Sequence, residues 1–355
     1  MLENIHFFKP FKIGGVMDIF TEVYTKIIDI LKTKSLDSSW SDIEAELKAL
    51  CVDTGPNAAK SEALSKARKK IESAAGIFDL FNPGSAHAGE ILKAAKSSTT
   101  GFQNRAATLK TFKHVYFVAK KGNQSIWVVD HPKTYTQWAF DQFDGKQLKN
   151  VETMLAEEEE TFGASRRKMM SDALQLARKW SMDIVIKLGT ADASTLAVVK
   201  RWFHTDSATE QEVKATAAVL LDGYKKIEAV CNSTTVIFSD RPHKRADKDW
   251  NDTTFASVRA DDTLPVIYIF QAFLDAGKRT FFGNIPKLWL CALTVVHELS
   301  HKKVHTDDIR YDYDGLKPGS GISPANAIKN ADSWAYFGAD LVGVLSEATV
   351  KNVLK

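Results

Sequence analysis

Apolar residues recur at helical spacing through most of this chain, and a few short β-branched runs interrupt them. Within MDIFTEVYTKIIDILKT (17–33), Ile19, Val23, Ile27, Ile28 and Leu31 fall on one face, which predicts an amphipathic helix. SDIEAELKAL predicts a second helix over 39–51, capped by Ser39 or Ser41, and the alanine- and lysine-rich stretch 57–76 a third. FNPGSAHAG at 81–89 reads as a breaker. Residues 112–130 change character: TFKHVYFVAK, the turn-like KKGNQ and SIWVVD predict a β-hairpin. A long helical region follows over 145–189, where EEEE (157–160) and RRK (166–168) read as solvated helix faces.

From Ser171 onward the pattern stays mostly helical, through DALQLARKWSMDIVIKL, TLAVVKRWF and a helix over 208–230. TTVIFSD (234–240) and LPVIYIF (264–270) read as strands, with a charged, irregular segment between them. An apolar helix then enters the run HELSH, followed by a polar, glycine-rich loop to Ser323 and a final helix from about residue 330. The expected class is α+β, mostly helical. A soft boundary divides 1–165, helical with one hairpin, from 166–355, which holds the HELSH helix and a small sheet.

Composition narrows this only a little. With 355 residues, 44% hydrophobic and 26% charged, the chain can bury a large core in one domain or two. A net charge of +3 lacks the basic excess of a nucleic-acid protein, so no nucleic-acid partner is expected. Cys51, Cys231 and Cys291 are far apart and form neither a disulfide framework nor a cysteine zinc site; each reads as a small buried hydrophobe. The longest apolar run, Leu288–Val296, falls well short of the ~20 residues of a membrane span, so no stable membrane insertion is expected. MLENIHFFKPFKIGGVMDIF lacks the order of a signal peptide. The expectation is synthesis in the cytoplasm, with any export by a non-classical or specialised route.

The chemistry concentrates in HELSH. Residues i and i+4 lie on one helix face, so His297 and His301 can present two imidazoles to one metal ion. Glu298 then reaches a metal-bound water from the side, as a general base. A catalytic zinc takes three protein ligands and leaves the fourth position open. The pattern HExxHxxGxxH fails, because Val304 and Asp307 stand at its last two positions, and the carboxylate Glu347 lies far downstream. HTDDIRYDYDG offers Asp307, Asp308, Asp312 and Asp314 instead, and His305 extends the histidine row by another turn as a competing ligand.

That loop resembles the GTxDxxYG signature of the aspzincin metallopeptidases, the deuterolysin and peptidyl-Lys metallopeptidase group. Thr306, Asp308 and Tyr311 match its threonine, aspartate and tyrosine, while His305 and Asp312 replace its glycines. NADSWAYF (330–337) looks like the Asn-Ala-Asp segment of the same family, and the likeness covers about residues 170–345. It implies a zincin-like catalytic domain holding a single Zn2+, with Asp308 as third ligand and Tyr311 directed at the oxyanion. Asp332 would orient a ligand histidine or line the pocket beyond the scissile bond. In lysine-specific relatives a second acid follows one turn later; here Ala335 stands there, so strict lysine specificity is not implied.

The leading expectation is a zinc endopeptidase acting on a protein or peptide substrate. Bacterial relatives include toxins, which suggests an exported effector with a secretion-machine, immunity or inhibitor partner. Residues 1–165 carry no chemical motif and read as a prodomain, a targeting module or structural support. The competing readings are a delivered binding module whose zinc site is closed by a further ligand such as His305, and a zymogen with its cleft filled by the first half.

Overall fold

The computed structural model describes residues 16–73, 83–120, 123–276 and 285–355. The start of the chain, Lys121 and Gly122 of KKGNQ, and Phe81 and Asn82 of FNPG lie outside them. The structure is mostly helical with a small mixed sheet, as the pattern predicts. The first helix spans Phe20–Thr33, and Phe20, Val23, Tyr24, Ile27, Ile28, Ile30 and Leu31 are buried from it. Helix Ser41–Leu50 follows a short 3-10 turn, but neither Ser39 nor Ser41 caps it; Asp37 takes that role for the turn by accepting from the Ser39 amide. Helix Ser61–Glu72 matches the third prediction.

Three readings of the pattern fail for local reasons. The breaker at 81–89 lies largely within a helix, Pro83–Ala94. Proline is tolerated at a first helical position, where its missing N–H costs nothing. Gly84 sits so close to the Ala156 carbonyl that a Cβ there would lie 2.1 Å from the oxygen. Helix Phe102–Lys113 overruns the start of the predicted hairpin. The long helix over 145–189 is two, Leu148–Leu155 and Ala164–Thr190, and EEEE lies between them. Those glutamates face cations rather than water alone. Glu158 pairs with the buried Lys110 and Lys113 at 3.1 and 3.3 Å, Glu159 with Lys133, and Glu160 with Arg167 at 3.0 Å. Arg167 also holds Asp130 at 3.2 Å, so it too departs from the solvated reading.

The strands are β1 (Cys51–Val52) and β2 (Gly55–Pro56), a minimal hairpin, then β3 (Val115–Lys120), β4 (Asn123–Val129), β5 (Ile237–Ser239), β6 (Ala256–Ser257) and β7 (Val266–Ile269). The last five form one sheet in the order β3-β4-β5-β7-β6. Strands β4, β5 and β7 run parallel, while β3 and β6 are antiparallel edges. Strands β5 and β7 are buried on both faces, as parallel strands covered by helices must be.

Alternation along these strands feeds two hydrophobic cores. Ile126, Val128, Phe238, Ile267 and Ile269 join the core of the long helices, and Trp127, Val129, Ile237, Val266 and Tyr268 join that of the N-terminal helices. One sheet thus takes strands from both sides of residue 165. On its first face, helix Lys287–Val304 packs against Ala164–Thr190, Glu210–Asn232 and Ala331–Leu341. Gly223 lets Glu210–Asn232 approach Ala331–Leu341, since a Cβ there would lie 2.3 Å from the Trp334 ring.

Candidate metal centre and active site

HELSH occupies the last two turns of Lys287–Val304, a helix buried along Leu290–Val296. The apolar face LWLCALTVV fixes its rotation, which leaves His297 and His301 directed into a cleft of about 1090 Å³. His305 stops the helix by taking the left-handed conformation, φ 64°, with its N–H bonded to the Ser300 carbonyl. That turn sends the chain back across the histidines and brings the aspartate loop over them.

Three atoms converge there. His297 Nε2 and His301 Nε2 lie 3.0 Å apart, and Asp308 Oδ1 lies 3.0 and 3.2 Å from them. A tetrahedral zinc with bonds of ~2.0–2.1 Å spaces its ligands by roughly 3.3 Å, so this donor triangle fits the ion. Among the described residues, His297, His301 and Asp308 are the group whose donors could hold a metal. His305 is not part of it, and neither are Asp307, Asp312 or Asp314.

Each histidine is aimed by its second nitrogen. His297 Nδ1 donates to Asp332 Oδ1 at 2.7 Å, and His301 Nδ1 donates to the Thr306 carbonyl at 2.7 Å. Both Nε2 atoms are thereby left as the metal-facing donors. Thr306 is fixed by Ser300, whose hydroxyl lies 2.7 Å from Thr306 Oγ1 and donates to the His297 carbonyl at 2.7 Å.

Burial alone would lower the His297 pKa. Hydrogen bonds with Asp308 and Asp332 outweigh it and raise the pKa well above the ordinary histidine value. His301 is raised as well, against burial, chiefly by Asp308. Burial works the other way on Asp308, yet the two histidines hold its carboxyl well below the usual range. The triangle therefore favours positive charge, and a metal entering it displaces protons.

Glu298 is buried, 5% exposed, next to the pair. Burial raises its pKa, the two imidazoles oppose the shift, and the Val258 backbone hydrogen-bonds its carboxylate. Tyr311 lines the cleft and stacks on Tyr313 at 5.5 Å. Burial and Asp308 raise the pKa of its hydroxyl, which stays protonated and able to donate.

Residues beyond the three donors hold the loop in place. Asn330 Oδ1 accepts from the Ile309 and Arg310 amides at 3.0 and 2.9 Å, and its Nδ2 donates to Ser333 at 3.1 Å. The Asp307 amide donates to the Lys329 carbonyl at 2.7 Å, and the Ala331 amide to Asp307 at 3.0 Å. Asp332 Oδ2 accepts from the Asp312 amide at 2.9 Å, and the Tyr336 hydroxyl donates to Asp312 Oδ2. NADSWAYF was the one signal for this scaffold. A burial pattern could not reveal that its alternate polar side chains reach back to a loop about twenty residues earlier.

No curated protein matches the chain. Residues 188–339 match the family model of the aspzincins, described as lysine-specific metallo-endopeptidases. The matched stretch begins near the end of the long helix and closes on the helix that carries Asp332, so it contains the converging donors and what aims them. Over these residues the chain is similar to the aspzincin metallopeptidases, a likeness that supports a zinc metallopeptidase.

Proposed function

We propose that the protein is an endopeptidase in which His297, His301 and Asp308 hold zinc, Glu298 is the general base and Tyr311 steadies the oxyanion. Zinc, when bound, lowers the pKa of water toward ~7 and polarises the scissile carbonyl. Glu298 takes the proton from the attacking water and returns it to the leaving amine. Its burial suits both steps, because a raised carboxyl pKa eases proton uptake and still permits release. The Tyr311 hydroxyl donates to the carbonyl oxygen as negative charge collects there.

The observation that carries this reading is the buried Glu298 beside three converging donors, at the floor of an open cleft. Two further features favour it over a closed or self-blocked site. Among the described residues no fourth protein donor joins the three. The described lining of the cleft comes from residues 250–336 alone, with nothing contributed by the first half. Strict lysine selection is not part of the proposal. Both Asp332 oxygens are engaged, by His297 and by the Asp312 amide, and Ala335 adds no second acid.

The test is zinc analysis combined with cleavage of an unfolded casein-type substrate. Wild type should carry zinc and lose activity to a chelator. Glu298→Ala should keep the zinc and lose ~10²-fold or more in kcat, the scale of a general base. A Glu298→Ala protein as fast as wild type would sink the mechanism.

A further inference from the structure

One wall of the cleft is the segment from Thr253 to Asp262, which passes through β6. Strand β6 is two residues long and pairs with β7 only at Ala256–Ile269 and Ser257–Tyr268. A ladder that short cannot fix the position of a ten-residue wall. The wall matters to the chemistry, because Val258 hydrogen-bonds Glu298 and the neighbouring residues face the metal donors across the cleft.

Two sets of tethers supply what the ladder lacks. One comes from the site helix: Lys302 Nζ donates to the Arg259 carbonyl at 2.7 Å and to the Asp262 carbonyl. The other comes from the start of the described chain. The Thr21 amide and hydroxyl both donate to Asp262 Oδ1, at 3.0 and 2.6 Å, and the Leu264 amide donates to Thr21 Oγ1 at 3.4 Å. Tyr268 closes the knot, donating to Asp262 Oδ2 at 2.7 Å while accepting from the Phe20 amide at 2.7 Å. Three residues earlier, Asp18 gathers two arginines and a histidine. Its carboxylate lies 3.3 Å from Arg259, 2.5 Å from Arg241 and 2.9 Å from His243. Arg259 and Asp262 both line the cleft, and Asp262 is only 2% exposed, so the tether grips the wall at its buried end as well as at its more open one.

We propose that the N-terminal half is a working part of the peptidase: Asp18 and Thr21 are positioning residues that set the 253–262 wall along which substrate lies. Their contacts reach the wall and not the metal donors, so they govern how substrate is held rather than the proton transfers. This rests on the peptidase reading for its kinetic consequence, though the tethering is a property of the fold by itself.

The experiment uses the full chain with Thr21→Val and Asp18→Asn, cleaving an unfolded casein-type substrate or a fluorogenic peptide. Each variant should raise KM about fivefold, the scale of one lost hydrogen bond, with zinc content unchanged and kcat falling by less than KM rises. Thr21→Ser should restore KM. A control, Thr209→Ala, removes the capping box of the Glu210–Asn232 helix and should lower Tm without moving KM. Amide hydrogen exchange gives a readout free of catalysis: Val258–Asp262 should exchange faster in Thr21→Val and Asp18→Asn than in wild type. Unchanged exchange there, or a KM that rises equally in the Thr209→Ala control, overturns the proposal. Failure of wild type to cleave would instead strike the peptidase reading, while the exchange comparison still decides the tether.

Discussion

His297 and His301 can reach one ion because a helix places every fourth side chain on one face, but their aim is a tertiary matter. An imidazole can rotate, and either nitrogen can carry the proton. The bond from His297 Nδ1 to Asp332 removes that freedom, and Asp332 is itself held by the Asp312 amide. Asp332→Asn should therefore weaken zinc binding by about 10–100-fold, the scale found when a ligand's outer partner is altered. Chelator competition measures it, and an unchanged zinc affinity would assign Asp332 to the substrate pocket alone. At this scale the convergence of His297, His301 and Asp308 was legible from the chain, because spacing and a short loop signature point to them. The partners of Asn330, Asp312 and Tyr336 were not, since each acts on a residue some twenty positions away that NADSWAYF and the aspartate run do not name.

At the scale of elements, charge shows how a local rule misleads. A run of four glutamates satisfies the pattern of a solvated helix face, yet 157–160 is irregular chain laid against Lys110, Lys113, Lys133 and Arg167. Burial pulls Lys110 down to about 8. Burial would raise Glu158, but His87, Lys110 and Lys113 outweigh it and bring its carboxyl to about 2 against 4.5 for the free side chain. The sign follows from that order. A carboxyl depressed in the folded state contributes stability above its unfolded pKa and loses it as pH falls toward the folded one. Glu158→Gln should thus cost roughly 2 kcal/mol at pH 7, a value discounted for partial exposure, and the deficit should shrink as pH falls from 4.5 to about 2. Urea denaturation of both proteins across that range measures it; a deficit that grows with acidity would show that the ion pairs are not what holds this segment.

For the whole molecule, the sheet is the deciding object. Its parallel strands β5 and β7 lie between β4, from the first half, and the edge β6, and their outer face is covered by N-terminal helices. A fragment of residues 166–355 would lose β3 and β4 and expose Ile237, Val266, Tyr268 and Phe270, all buried in the full chain. We expect it to fail to fold cooperatively and to bind a hydrophobic dye, by circular dichroism and fluorescence. A sharp thermal transition with full zinc binding would show that the second half stands alone.

The sequence by itself determined the HELSH helix, the donors that meet over it and the helical class of the chain. Helical spacing, apolar periodicity and a loop signature are all short-range properties, and they survive without knowledge of packing. Only the tertiary structure decided which oxygens aim the histidines, that the acidic run is paired with lysines and an arginine, and that Asp18 and Thr21 tether a wall of the cleft. Those contacts join residues up to about 240 positions apart, as Thr21 and Asp262 do, and their partners are chosen by how the sheet and helices pack.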